Sequence, residues 1–157
     1  MNIDAATAER DAVLQVARNM CVAARTAPKA RGMDEIDTRL LTGDDLVPVA
    51  DEMERIGRDT RQSYFVRDAD NLRNSLALVL VGVRPVPRNT KDCAFCGFED
   101  CKACLQAGAS CAIAVTDLGI AVGSAVALAA DARVDNRVFF TAGAAALRLG
   151  MMAEGVT

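Results

Sequence analysis

The sequence predicts a single mixed α+β domain. Three observations carry that reading. Segments near the start, middle and end show helical hydrophobic spacing. Two short runs, 36–41 and 76–83, read as strands. A nearly uncharged run, 112–130, is too long for a strand and reads as one long apolar helix. At 157 residues the chain fits one domain able to bury most of its surface.

From Ala5 to Ala24, Val13, Ala17, Met20 and Ala24 recur at helical spacing, and Pro28 stops the pattern. In "EIDTRLL", Ile36, Thr38 and Leu40 alternate with Asp37 and Arg39, which predicts a half-buried strand. "TGDDLVPVADEMERIG" places Leu46, Val49, Met53 and Ile56 on one helical face. Pro48 fits only a first turn, so Asp44 or Asp45 is the expected N-cap. "RDADNLRNS" reads as a short helix, solvated and capped or lining a polar pocket, that leads into "LALVLVGV", a fully buried strand. "RPVPRNTKD" breaks the strand with two prolines. The end of the chain reads as a strand, "RVFFT", and a helix, "AGAAALRLG".

The run 112–130 carries one charge, Asp117. That charge and the lack of basic flanks argue against a membrane span. A helix apolar on nearly every side needs cover on nearly every side, and Gly119 and Gly123 admit close approach by another helix. A homodimer is the expected source of that cover.

A net charge of −3, a pI near 5.0 and the absence of Trp argue against a nucleic-acid partner. Asp4, Glu9 and Asp11 stand where a signal peptide would have a basic start, which predicts a cytoplasmic protein with reduced thiols. There is no His, which removes Ser-His and Cys-His nucleophile pairs and mixed Cys/His zinc sites. No phosphate-binding P-loop is present, and "GDD" at 43–45 reads as capping and not as a metal carboxylate pair.

"KDCAFCGFEDCKACLQAGASC", residues 91–111, holds five of the six cysteines. Such clustering in a reducing compartment points to a metal or cluster. Cys21, alone on the first helix, reads as a small buried residue. Two Cys-x2-Cys knuckles only four residues apart are cramped for a zinc ribbon, whereas iron–sulfur loops wrap their cluster compactly. Gly97 after Cys96 lets the backbone come close, and Cys111 opens the apolar helix, whose N-terminal dipole favours an anion. Lys91 and Lys102 lie near in sequence. Spacing alone leaves open which four of Cys93, Cys96, Cys101, Cys104 and Cys111 are ligands.

"CAFCGFEDC", "GASCAIAVTDLGIAVGSAV", "AARTAPKARG" and "VDNRVFF" together resemble a family of small prokaryotic proteins that contain a ferredoxin domain. The resemblance implies one [4Fe–4S] cluster on Cys93, Cys96, Cys101 and Cys111, with Cys104 as a spare thiol or an alternative ligand. A weaker resemblance concerns the basic stretch before the first strand. "AARTAPKARG", then a strand, then a helix is similar to the start of flavin-dependent nitroreductases. It implies a nitroreductase-like fold with Arg25 and Lys29 on an FMN phosphate. The alternative is that Arg25, Lys29 and Arg31 only satisfy a helix C-terminus.

Three functions follow as expectations. The first is electron transfer by an iron–sulfur protein with an unidentified redox partner. The second is a flavin-dependent oxidoreductase with an accessory cluster. The third is a non-redox interaction module with a structural zinc site.

Overall fold

The computed structural model describes residues 2–157. Helix α1 runs Ala5–Thr26; the Asp4 carboxylate caps it by accepting from the Thr7 N–H at 3.0 Å. Strand β1, Ile36–Thr42, pairs antiparallel with β2, Ala77–Val83, in the register Ile36↔Val83 to Thr42↔Ala77. Between them lie α2, Leu46–Thr60, and α3, Ser63–Arg73. After β2 come α4, Cys101–Gln106, α5, Ala112–Asp131, and α6, Phe140–Arg148. The mixed α+β prediction holds, with helix dominant and a sheet of two strands.

That small sheet is the middle layer. Directly opposed residues on antiparallel strands share a face. Ile36, Val81 and Val83 pack with Ala24 of α1 and Ala114, Ala121 and Ala125 of α5. Leu41 and Leu78, one residue out of phase, pack with Val49 and Met53 of α2, Leu72 of α3 and Ala145 of α6. The strand β2 is therefore apolar on both faces. It is not fully buried as its composition predicts, because a two-stranded sheet is all edge: Ala77, Leu78, Val79 and Val81 stay half-buried.

Part of one edge is covered by the segment 152–157. The Val83 N–H donates to Thr157 O at 3.1 Å, and the Thr157 N–H donates back to Val83 O at 3.0 Å. Gly82 makes this approach feasible, since a Cβ there would lie 2.4 Å from Val156 Cγ1 and 2.9 Å from Met152 Cε. Gly82→Ala should therefore lower stability by about 1–3 kcal/mol, the range for overpacking. A urea melt with an unchanged midpoint would show that the segment moves aside freely.

Four other expectations change. "RVFFT" is no strand: both paired strands lie elsewhere, and Phe140 and Thr141 instead begin α6. There Phe140 meets Phe65 edge-on at 5.6 Å, and the buried Thr141 hydroxyl donates to Asp68 Oδ2 at 2.9 Å. Asp68 thus belongs to the interior and not to a solvated helix face. Asp45 does occupy the N-cap position of α2, but its side chain makes no capping bond, because a 3₁₀ turn at Gly43–Asp45 leads the chain in. Cys21 is half-buried beside Thr38, and burial pushes its thiol pKa up.

Charge organises the α2 side. Glu52, nearly buried, accepts from Arg55 Nη2 at 2.6 Å and Nε at 2.7 Å, and Arg148 lies 3.7 Å away. The Arg55 hydrogen bonds hold its carboxyl below the usual carboxylate range. A carboxylate depressed in the folded state adds stability above its unfolded value and loses it as pH falls through its folded value. Glu52→Gln should thus flatten the acid limb of the stability–pH curve. Parallel acid limbs for the two proteins would refute this.

Helix α5 is covered on one side only. Among the described residues it is the one helix long and apolar enough to cross a bilayer, with 28% of that stretch buried. Its alanines at 114, 121, 125 and 129 face α1 and β2, while Val115, Gly119, Ile120 and Gly123 face outward.

Candidate metal centre

After β2 the chain leaves regular structure from Arg84 to Asp100, and Pro85 O then accepts from the Cys111 N–H at 2.9 Å, closing the loop on itself. Inside the closed loop the backbone turns through left-handed residues at Asn89, Asp92, Ala94 and Gly97, with φ of 51, 56, 48 and 79°. Only the last is glycine. An L-residue in that region costs about 1–2 kcal/mol, and such strain gathers at functional segments. A Cβ on Gly97 would meet nothing within 4 Å, so its requirement is conformational and not steric. Asp100 caps α4 through the Ala103 N–H at 2.7 Å, which sets Cys101 at the head of that helix. Gly108, also left-handed, ends the turn that returns the chain to Cys111.

The result is a cavity of about 340 Å³ with Cys93, Cys96, Cys101 and Cys111 in its wall. Lys91, Lys102, Glu99 and Asp100 stand around it, and Ala112 and Ile113 bring the first turn of α5 to it. Cys104 does not line this cavity. It is 1% exposed, with Sγ 3.5 Å from Ala109 O. Burial pushes its thiol pKa up, and the neighbouring Cys96, Cys111 and Cys101 push the same way. All six cysteines are free thiols. Among the described residues, no three Cys, Asp or Glu side chains are grouped closely enough to hold a single metal ion.

Arg88 lies in the same wall, and its side chain is 1% exposed. Its Nε donates to Asp117 Oδ2 at 3.1 Å and its Nη1 to Val86 O at 3.3 Å. Asp117 Oδ1 accepts from the Ala30 N–H at 3.0 Å, and Arg31 Nη1 donates to the carbonyls of Arg88 and Asn89 at 2.9 Å each. One buried ion pair thus joins the basic stretch after α1, the cysteine loop and α5. Sequence reasoning did not single out Arg88. The signal was Asp117: a carboxylate in an apolar helix needs a buried cation, and "RPVPRN" offers only Arg84 and Arg88.

The structure does not bring Arg25 and Lys29 to the cysteine cavity. Lys29 Nζ, 4% exposed on its side chain, donates to Ala24 O at 3.0 Å and to Arg25 O, satisfying the last carbonyls of α1. Arg25 Nε pairs with Asp34 at 2.8 Å. Burial would raise the Asp34 pKa, but Arg25, the Ile36 N–H and Lys29 outweigh it and lower it. Both cations have partners in the chain, as the capping reading expects. A larger cleft, about 460 Å³, lies between α1, β2, α5 and residues 134–139, but it is lined largely by aliphatic side chains and contains no thiol.

Comparison with known proteins agrees with the ferredoxin-domain resemblance. Residues 107–157 match the family model described as "uncharacterized protein containing a ferredoxin domain (DUF2148)", a stretch that includes Cys111 and α5. An "uncharacterized protein" of Archaeoglobus fulgidus is 36% identical over 141 residues, covering 85% of this chain and 76% of that protein. No solved structure matches. None of these findings supports the nitroreductase likeness or a flavin site. The chain belongs to the family of uncharacterized proteins containing a ferredoxin domain.

Proposed function

We propose that this is an iron–sulfur protein that binds one [4Fe–4S] cluster through Cys93, Cys96, Cys101 and Cys111 and serves in electron transfer. The observation that carries the reading is that these four cysteines share one cavity wall while Cys104 packs behind it. The compact spacing of the cysteines in the loop also favours a cluster over zinc. A single zinc ion holds its sulfurs about 2.3 Å away, which draws them to within about 4 Å of one another. A cubane takes one thiolate per iron, so its ligands stand apart around a larger body.

When bound, the cluster supplies one-electron redox chemistry. The chain's own residues hold and shield it. The α5 N-terminus offers a favourable dipole to an anion, and the left-handed turns of the loop bring backbone close to it. The same reading puts the protein in a reducing, cytoplasmic setting, in keeping with six free thiols. It also gives the outward face of α5 a second copy of the chain as cover, which sedimentation would reveal as a dimer.

The test is oxygen-free purification followed by a visible spectrum and assays for iron, sulfide and zinc. About four irons and four sulfides per chain, with a broad absorption that bleaches on dithionite, is the expected result. Colourless protein holding about one zinc would replace the redox reading with a structural zinc site.

A further inference from the structure

We infer that Arg88 Nη2 is the hydrogen-bond donor to the anionic sulfur group held in the cysteine cavity, and that it sets how readily that group accepts an electron. The inference deepens the reading above and rests on it.

A buried guanidinium is costly unless its charge is paired and its N–H groups find acceptors. Asp117 pairs the charge of Arg88, and two of its nitrogens have acceptors in Asp117 and Val86. The third, Nη2, has none, and it is the one buried side-chain nitrogen or oxygen in that condition among the described residues. Buried polar atoms are nearly always satisfied, so an exception calls for an acceptor. Arg88 lines the cavity shared by four cysteines, whose thiolate and sulfide sulfurs would be acceptors of the right charge.

Lys91 and Lys102 do not serve in its place: both are solvent-exposed, where water screens their charge. Lysine at position 88 would not serve either. One ammonium could pair with Asp117, but it lacks the planar fork that engages the carboxylate and a second acceptor at once. A fixed N–H and positive charge favour the reduced, more negative state of the group, so the donor raises the reduction potential.

The experiment compares oxygen-free wild type with Arg88→Lys and Asp117→Asn, reading iron, sulfide, circular dichroism and midpoint potential. R88K keeps an ion pair for Asp117 and removes the donor; D117N weakens the anchor and keeps the donor. Expected is a folded R88K whose reduction equilibrium is about tenfold less favourable, about 59 mV lower for one electron, with D117N not lowered, because loss of the Asp117 charge leaves the Arg88 cation less compensated. A folded R88K that loads poorly, beside a fully loaded D117N, also supports the donor, as a contact that holds the group. R88K at the wild-type potential overturns the inference. D117N lowered as far as R88K does so too, because Arg88 would then act only through the anchor. Wild type without iron and sulfide is a separate failure, that of the iron–sulfur reading, and the assays show it before any potential is measured.

Discussion

Replacing Asp117 with leucine is expected to destabilise the protein by about 3–5 kcal/mol, the cost of breaking a buried ion pair from one side. Leucine suits an apolar helix by composition, and helix propensity would even welcome it. The cost arises elsewhere. Arg88 would be left charged in the interior, and the Ala30 N–H would lose its acceptor. Against a total stability of about 5–15 kcal/mol for a domain, that is a large fraction. Urea denaturation gives the number. An unchanged midpoint would mean that Arg88 reaches water or another acceptor on its own. The double variant Arg88→Met/Asp117→Leu should recover much of the loss, since apolar replacement of both partners is often neutral. It would restore stability without restoring the Arg88 donor.

The second large effect concerns the cysteines. Serine at Cys93, Cys96, Cys101 or Cys111 should remove most of the iron and sulfide from the purified protein, because each of these residues lines the cavity proposed to hold the cluster. Serine at Cys104 should leave the iron content at the wild-type level. It places a hydroxyl in a nearly solvent-free position, with Ala109 O as its nearby acceptor. Loss of iron in C104S together with full iron in one of the other four would reassign the ligand set.

How much of this was legible in the sequence depends on the range of the interaction. Most of the order of elements could be read because the longer helices and both strands carry their own pattern, as with Val49, Met53 and Ile56 on α2, whereas the six-residue α4 inside the cysteine loop was too short to show one. The cysteine loop could be read because its chemistry is concentrated within 91–111. What escaped depends on partners far away. "RVFFT" has strand composition, but a strand needs a neighbour, and the register of β1 with β2 offers it no place. The unbroken apolar run of β2 shows two apolar faces, not that the sheet stops at two strands. Lys29 and Arg31, two residues apart, took different tasks: one closes α1 and the other binds the cysteine loop. Arg88 was one arginine among many until Asp117 gave it a partner.

The junction of Ala30, Arg88 and Asp117 also sets an order of events during maturation. Its contacts join residues 87 and 29 positions apart, so the chain must close long loops before they form. Cys93, Cys96, Cys101 and Cys104 need no such closure, since neighbours three or five positions apart collide in the unfolded chain. In air, those collisions would close small disulfide rings before the wall that brings in Arg88 and Cys111 exists. Under reductant the thiols wait for the wall. Peptide mapping of chains quenched early in refolding should therefore find local disulfides in air and free thiols under reductant. The buried pair makes the history of the chain, and not only its composition, decide whether its thiols stay free or are trapped by oxygen.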